Sequence, residues 1–174
     1  GRRFGYLNPG SLFDHAGKIF APDVDTWSIL GYANTDLVTY LMLGQTPDRH
    51  WEVSHVSKLP YDQDLEDLGR LKTLPKDAVG YLISKRQYEL DSPYYVSPVL
   101  LAVLGIQEPL AIHDHPHREL REQIDVQFPS ASISANESLK KAGIAAAKHL
   151  ETIEADLQTC ADEINKTVFN YFAI

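Results

Sequence analysis

Residues 49–61 read RHWEVSHVSKLPY, and the fold turns on whether this run is a strand. Trp51, Val53, His55 and Ser57 alternate with Glu52, Ser54, Val56 and Lys58, which is the period of a strand. Arg49, His50, His55 and Lys58 are interleaved with Trp51, Val53, Val56 and Tyr61, as on a nucleic-acid surface. The plainer reading is an edge strand that Lys and His keep from pairing with another chain. The surroundings are acidic, with 24 Asp+Glu against 16 Lys+Arg and a net charge of −8. That balance disfavours non-specific nucleic-acid binding by the whole surface and leaves room for a local basic face. Residues 1–60 carry Arg2, Arg3, Lys18, Arg49 and Lys58 against six acids, whereas residues 101–174 carry six Lys+Arg against eleven. The charge is therefore segregated.

Outward from this run, the chain changes character at Pro60. Before it, Gly5, Pro9, Gly10, Gly17 and Pro22 punctuate the runs RFGYLN, KIFAP and WEVSHVS, a pattern that predicts strands joined by turns. One helix interrupts them. Asp25 or Thr26 can cap it, and Trp27, Ile29, Leu30, Ala33, Leu37, Tyr40, Leu41 and Leu43 recur at helical spacing up to Gly44. After Pro60 the chain reads as mostly helical. DQDLEDLGRLKTL and KDAVGYLISKRQYEL carry helical leucine spacings, and SPVLLAVLG has Pro at its start and Gly105 at its end. A final helix, capped by Ser134 or Asn136, runs to about Phe172. Leu150, Leu157, Ile164 and Tyr171 on it are seven apart, with Ile153, Cys160 and Thr167 between. The expected class is α+β, helix-dominated: a small sheet within residues 1–60 crossed by a helix from Trp27 to Leu43, then a helical scaffold over 61–174.

The bulk numbers agree with one globular body. The hydrophobic fraction is 44% and the charged fraction 23%. No run of eighteen apolar residues offers a membrane span, so no membrane is expected among its partners. GRRFGYLNPG has neither Met nor an apolar h-region and reads as part of something longer. The single Cys160 excludes an internal disulfide and fits a reducing cytoplasm.

Catalytic motifs are missing. There is no G-x-G-x-x-G, Walker loop, G-x-S-x-G elbow, H-E-x-x-H or C-x-x-C. His113, His115 and His117 alternate and would share a strand face, but Pro116 and the lack of further ligands favour a solvated loop over a metal site. Cys160 lies on the inward stripe of the last helix, as filler. DSPYY, residues 91–95, resembles the D-P-P-Y loop of adenine methyltransferases, with Ser92 in the second place. No Gly-rich S-adenosylmethionine loop precedes it, so a helix-linking turn is the better reading.

The order of segments carries more. RRFGYLNP, KIFAP, WSILGYANTDLVTYLM, RHWEVSHVSKLPY, VGYLISKRQYELDSPYYVSPVLL and CADEINKTVFNYFAI follow one another. This order resembles the C-terminal part of large N6-adenine DNA methyltransferases, of the PglX type in bacterial BREX phage-defence systems and of type IIG restriction-modification enzymes. Trp51 to Pro60 matches a YEV…VSKLP segment of that family. Lys85, Arg86 and LDSPYYVSPVLL match its KR…E-T-S…P-LL, with Asp91-Ser92 for Thr-Ser. DEINKTVFNYFAI matches its closing segment, with Phe172-Ala173 for Tyr-Gly. Residues 113–134 match nothing in it.

The resemblance implies a target-recognition region that reads double-stranded DNA. A separate N-terminal methyltransferase domain of the parent would bind S-adenosylmethionine, and this part would hold no cofactor and no catalytic residue. Arg2, Arg3, Lys18, Arg49 and Lys58 would meet phosphates or guanine edges. His50, Trp51, His55 and Ser57 would enter a groove or support the loop. The competing expectation is a helical protein-interaction module that docks other subunits of a defence complex.

Overall fold

The computed structural model describes residues 4–6, 23–46, 51–105, 124–127 and 139–174. Their helices are α1 (Thr26–Ala33), α2 (Asp36–Gln45), α3 (Val53–Val56), α4 (Gly69–Arg86), α5 (Val99–Leu104) and α6 (Leu139–Tyr171), with a 3₁₀ turn at Gln63–Asp67. No strand occurs among the described residues, of which 69% are helical. The α+β expectation is corrected to all-helical for this part. WEVSHVS is not a strand. KIFAP lies outside the described residues.

The reason is visible in how the non-helical segments satisfy their peptide groups. A buried backbone N–H or C=O must be paired, and a strand does this with a neighbouring strand. Phe4, outside any helix, uses a side chain instead. Its N–H donates to Asn34 Oδ1 and its C=O accepts from Asn34 Nδ2, both at 3.0 Å. Residues 124–127 do the same on α4. Gln127 N–H donates to Ser84 Oγ (2.7 Å), and Gln127 C=O accepts from Gln87 Nε2 (2.7 Å). Ser84 and Gln87 are both wholly buried. Helix side chains stand in for the missing ladder.

The helix expected over Trp27–Leu43 is two helices. Asp25 caps α1, its carboxylate accepting from Ser28 N–H at 2.8 Å. Asn34 ends α1, and Thr35 caps α2 through Val38 N–H (3.3 Å) while its hydroxyl donates to Tyr32 C=O (2.8 Å). The Asn34 amide that holds Phe4 also donates to Leu30 C=O at 2.9 Å. A cap residue and a polar clamp in adjacent positions stop one helix and start the next.

The chain divides into two compact units, 1–76 with 160–174, and 77–159. Helices α4 and α6 each contribute to both. The first unit buries Trp27, Tyr32, Val38, Met42, Leu65, Leu71, Ile164 and Val168. Tyr6 stacks on Trp27 with centroids 4.9 Å apart, and Lys76 Nζ lies 5.6 Å from the same ring. The second unit buries Ile83, Val96, Val103, Ile124, Ala142, Ala146 and Ile153. α5 starts at Pro98 and ends at Gly105, whose φ of 64° is the left-handed C-cap that favours glycine. The inward stripe of α6 includes Ile153, Cys160 and Ile164 as expected, and the Cys160 thiol is buried. No helix of the described residues is long and apolar enough to cross a membrane.

Within the second unit, Tyr88 Oη lies 3.3 Å from His149 Nε2, the rings edge to face. Burial holds His149 below its ordinary value and pushes Tyr88 up to about 12. A histidine whose folded value lies below its unfolded one stabilises the fold above the unfolded value. That contribution is lost as the pH falls through that range. Melting temperature should therefore fall between about pH 7.5 and pH 5.5, and His149→Gln should flatten that part of the profile. An unchanged profile in the variant would assign the pH dependence to other groups.

Candidate nucleic-acid interface

The segment from Trp51 to Lys58 is a capped helical turn. Residue 52 has extended backbone, and residues 53–56 are helical. His55, three residues after the N-cap Glu52, accepts its backbone N–H on Nδ1 at 3.2 Å. That puts the ring proton of His55 on Nε2. His55 is thus engaged in holding the turn. Trp51 is half-buried with its ring 5.6 Å from that of Phe4, so it packs and does not project. Helical winding also regroups the residues. Ser54, Ser57 and Lys58 are exposed at i, i+3 and i+4, and Ser57 Oγ donates to Ser54 C=O at 3.2 Å. The alternation expected for a strand had separated Ser57 from Lys58, and the helix puts them on one face.

The segment after it is tied down firmly. Tyr32, almost wholly buried, donates its hydroxyl to Pro60 C=O and meets the Tyr61 ring edge-on at 5.4 Å. Tyr171 donates to Asp62 at 2.7 Å, and Asp62 also accepts Asp64 N–H at 3.1 Å. The Tyr171 hydroxyl, aided by that N–H, keeps the Asp62 carboxyl below its ordinary value, and the same bond raises Tyr171 to about 12. Burial first, then the charges of Glu66 and Asp25, raise Tyr61 to about 12. Asp62, Asp64, Glu66 and Asp67 follow Lys58 within nine residues. An open depression lined by Pro60, Tyr61, Asp62, Gln63, Asp64 and Phe172 is consequently acidic. A phosphate would be repelled there, which limits any DNA contact of this segment to the Ser54–Ser57–Lys58 side.

Of the expected contact residues, the structure brings Ser57 and Lys58 together and turns Trp51 and His55 to internal roles. Arg2, Arg3, Lys18, Arg49 and His50 lie outside the described residues, as do His113, His115 and His117. Among the described residues no group of three His, Cys, Asp or Glu could hold a metal ion. Asp91–Tyr95 forms the turn between α4 and α5, as expected. Ser92 is buried and its hydroxyl accepts Tyr94 N–H at 3.1 Å, which ties the turn to itself. The anchoring residues Asn34, Tyr32 and Tyr171 were missed in the sequence. Their only signal there was a polar or phenolic group inside an apolar stripe.

No protein family, curated protein or solved structure matches the chain.

Proposed function

We propose that the chain is a DNA sequence-recognition region of a site-specific adenine-N6 DNA methyltransferase of restriction-modification or phage defence. Methyl transfer from S-adenosylmethionine would belong to a separate catalytic domain of the parent. The observation that carries the reading is the exposed Ser54–Ser57–Lys58 face, held in one conformation by the capped turn and by Tyr32, on the segment with the clearest methyltransferase resemblance. Side chains on a rigid turn lose little freedom on binding. Lys58→Ala should weaken duplex binding about equally over all sequences and reduce the salt slope by about 0.9 if the lysine meets one phosphate. Fluorescence anisotropy over a salt series measures both. If neither Lys58→Ala nor Arg49→Ala alters affinity or sequence preference, the segment is outside the interface.

A helical docking module is the second reading. It is favoured by Tyr40 and Leu43, 75% and 52% exposed on adjacent turns of α2. Exchanging residues 1–60 between relatives separates the two: a changed methylation site supports recognition, and lost assembly with an unchanged site supports docking.

A further inference from the structure

The sequence of α6 from Leu139 to Leu150 is LKKAGIAAAKHL, with three lysines and no carboxylate. The next thirteen residues, 151–163, hold Glu151, Glu154, Asp156, Asp162 and Glu163 and no cation. The lysines are also gathered in space. Ala142 and Ala146 point inward and are buried. Lys140, Lys141, Ile144 and Lys148 therefore form the outward face, at i−4, i−3, 0 and i+4 about Ile144. All four are exposed, Ile144 to 62%. Lys85 and Arg86, by contrast, are tied to Glu154 and Glu89. No ion pair joins Lys140 or Lys148 to a described carboxylate. Gly143 and Ala147 beside them have no side chain that would hold a partner's surface away, and a Cβ on Gly143 would meet nothing within 4 Å.

We infer that this stretch of α6 is a phosphate-backbone contact for double-stranded DNA, with Lys140 and Lys148 as the neutralising cations. They lie eight residues apart, about 12 Å along the helix axis. Over that length the duplex presents about seven charges, one per ~1.7 Å. A backbone contact positions a duplex without reading it. The inference rests on the recognition reading proposed above.

The test is anisotropy of the whole chain with a labelled duplex, from about 50 to 200 mM salt, for wild type, Lys140→Ala/Lys148→Ala, Lys140→Arg/Lys148→Arg and Lys58→Ala. The double alanine variant should lower the slope of log affinity on log salt by about 1.8, shrinking the salt-induced loss about tenfold, and the arginine pair should restore it. Lys58, Lys140 and Lys148 are all exposed, so the melting temperatures should coincide. A full slope in the double alanine variant, with Lys58→Ala still lowering it, would overturn this contact and leave the recognition reading standing. A wild-type chain that ignores the duplex would overturn both. Equal affinity for the duplex and for polyglutamate would make the face a general polyanion surface and so also overturn the assignment.

Discussion

Gly80→Ala should cost about 3 kcal/mol and loosen residues 124–127 from α4. Overpacking of a close contact costs 1–3 kcal/mol, and the helix-propensity gain of Ala over Gly returns about 1. An added Cβ at Gly80 would fall against the Asp125 carbonyl oxygen, an atom of the backbone with no rotamer to change. The segment cannot slide away cheaply either. Gln127, two residues on, gives its N–H to Ser84 and takes a bond from Gln87, both wholly buried. Moving Asp125 breaks those bonds and strands buried polar groups, at about 1–3 kcal/mol each. The steric term and the lost bonds together exceed the propensity gain. Gly143→Ala in α6 is the matched control, since its Cβ meets open space and the change should be neutral or stabilising. Urea melts give the energies, and hydrogen exchange at the Gln127 amide reports the local release. A Gly80→Ala protein as stable as wild type, with that amide still protected, would show that the segment is not pinned there.

The same construction explains what could be read in the sequence and what could not. α5 was legible because Pro98 and Gly105 bracket a short apolar run, a purely local signal. The inward stripe of α6 was legible because its 33 residues hold the period over many turns. The break at Asn34–Thr35 was not. Leu30, Ala33 and Leu37 keep helical spacing across it, so periodicity reports one helix. The decisive event, Asn34 pairing with both peptide groups of Phe4, links positions 30 residues apart. At residues 51–58 the difficulty was length. Trp51, Val53, His55 and Ser57 at alternate positions fit a strand, and four residues of α3 are too few to show a helical period. The Glu52–His55 cap decides it, and a cap with histidine in the third helical place is easily overlooked.

The candidate site was legible in composition and not in geometry. Lys58 and Ser57 were named from residue type, and both are exposed. Which residues share a face depended on winding, so the sequence left open whether Trp51 and His55 enter a groove or support the loop, and His55 does hold the turn. The lysines of α6 were hidden by arithmetic. Six cations against eleven acids over residues 101–174 make that part look like acidic scaffold, and only the local order, lysines first and carboxylates after, separates the two faces. Helix phase then gathers Lys140 and Lys148 about Ile144.

Gly31→Ala should destabilise the first unit by about 2 kcal/mol, whereas Gly44→Ala should stabilise it by about 0.5–1. The two glycines sit in neighbouring helices, α1 and α2, and the same methyl group is added to each. At Gly44 it meets nothing within 4 Å, so only the propensity gain remains. At Gly31 it would lie 2.7 Å from Pro75 Cγ and 3.0 Å from Leu71 Cδ1. Neither neighbour can yield. Leu71 is wholly buried, and the Pro75 ring is closed on its own backbone inside α4. Pro75 gives α4 no N–H for the Leu71 carbonyl, a defect that ordinarily costs about 3 kcal/mol in a helix interior. The helix survives because this turn is packed, with Gly31 against the ring. Pushing α1 away removes that packing where α4 can least do without it, so the steric loss outweighs a propensity gain of about 1 kcal/mol. Equal shifts of the same sign in both variants, measured by thermal and urea unfolding, would mean that α1 does not rest on Pro75.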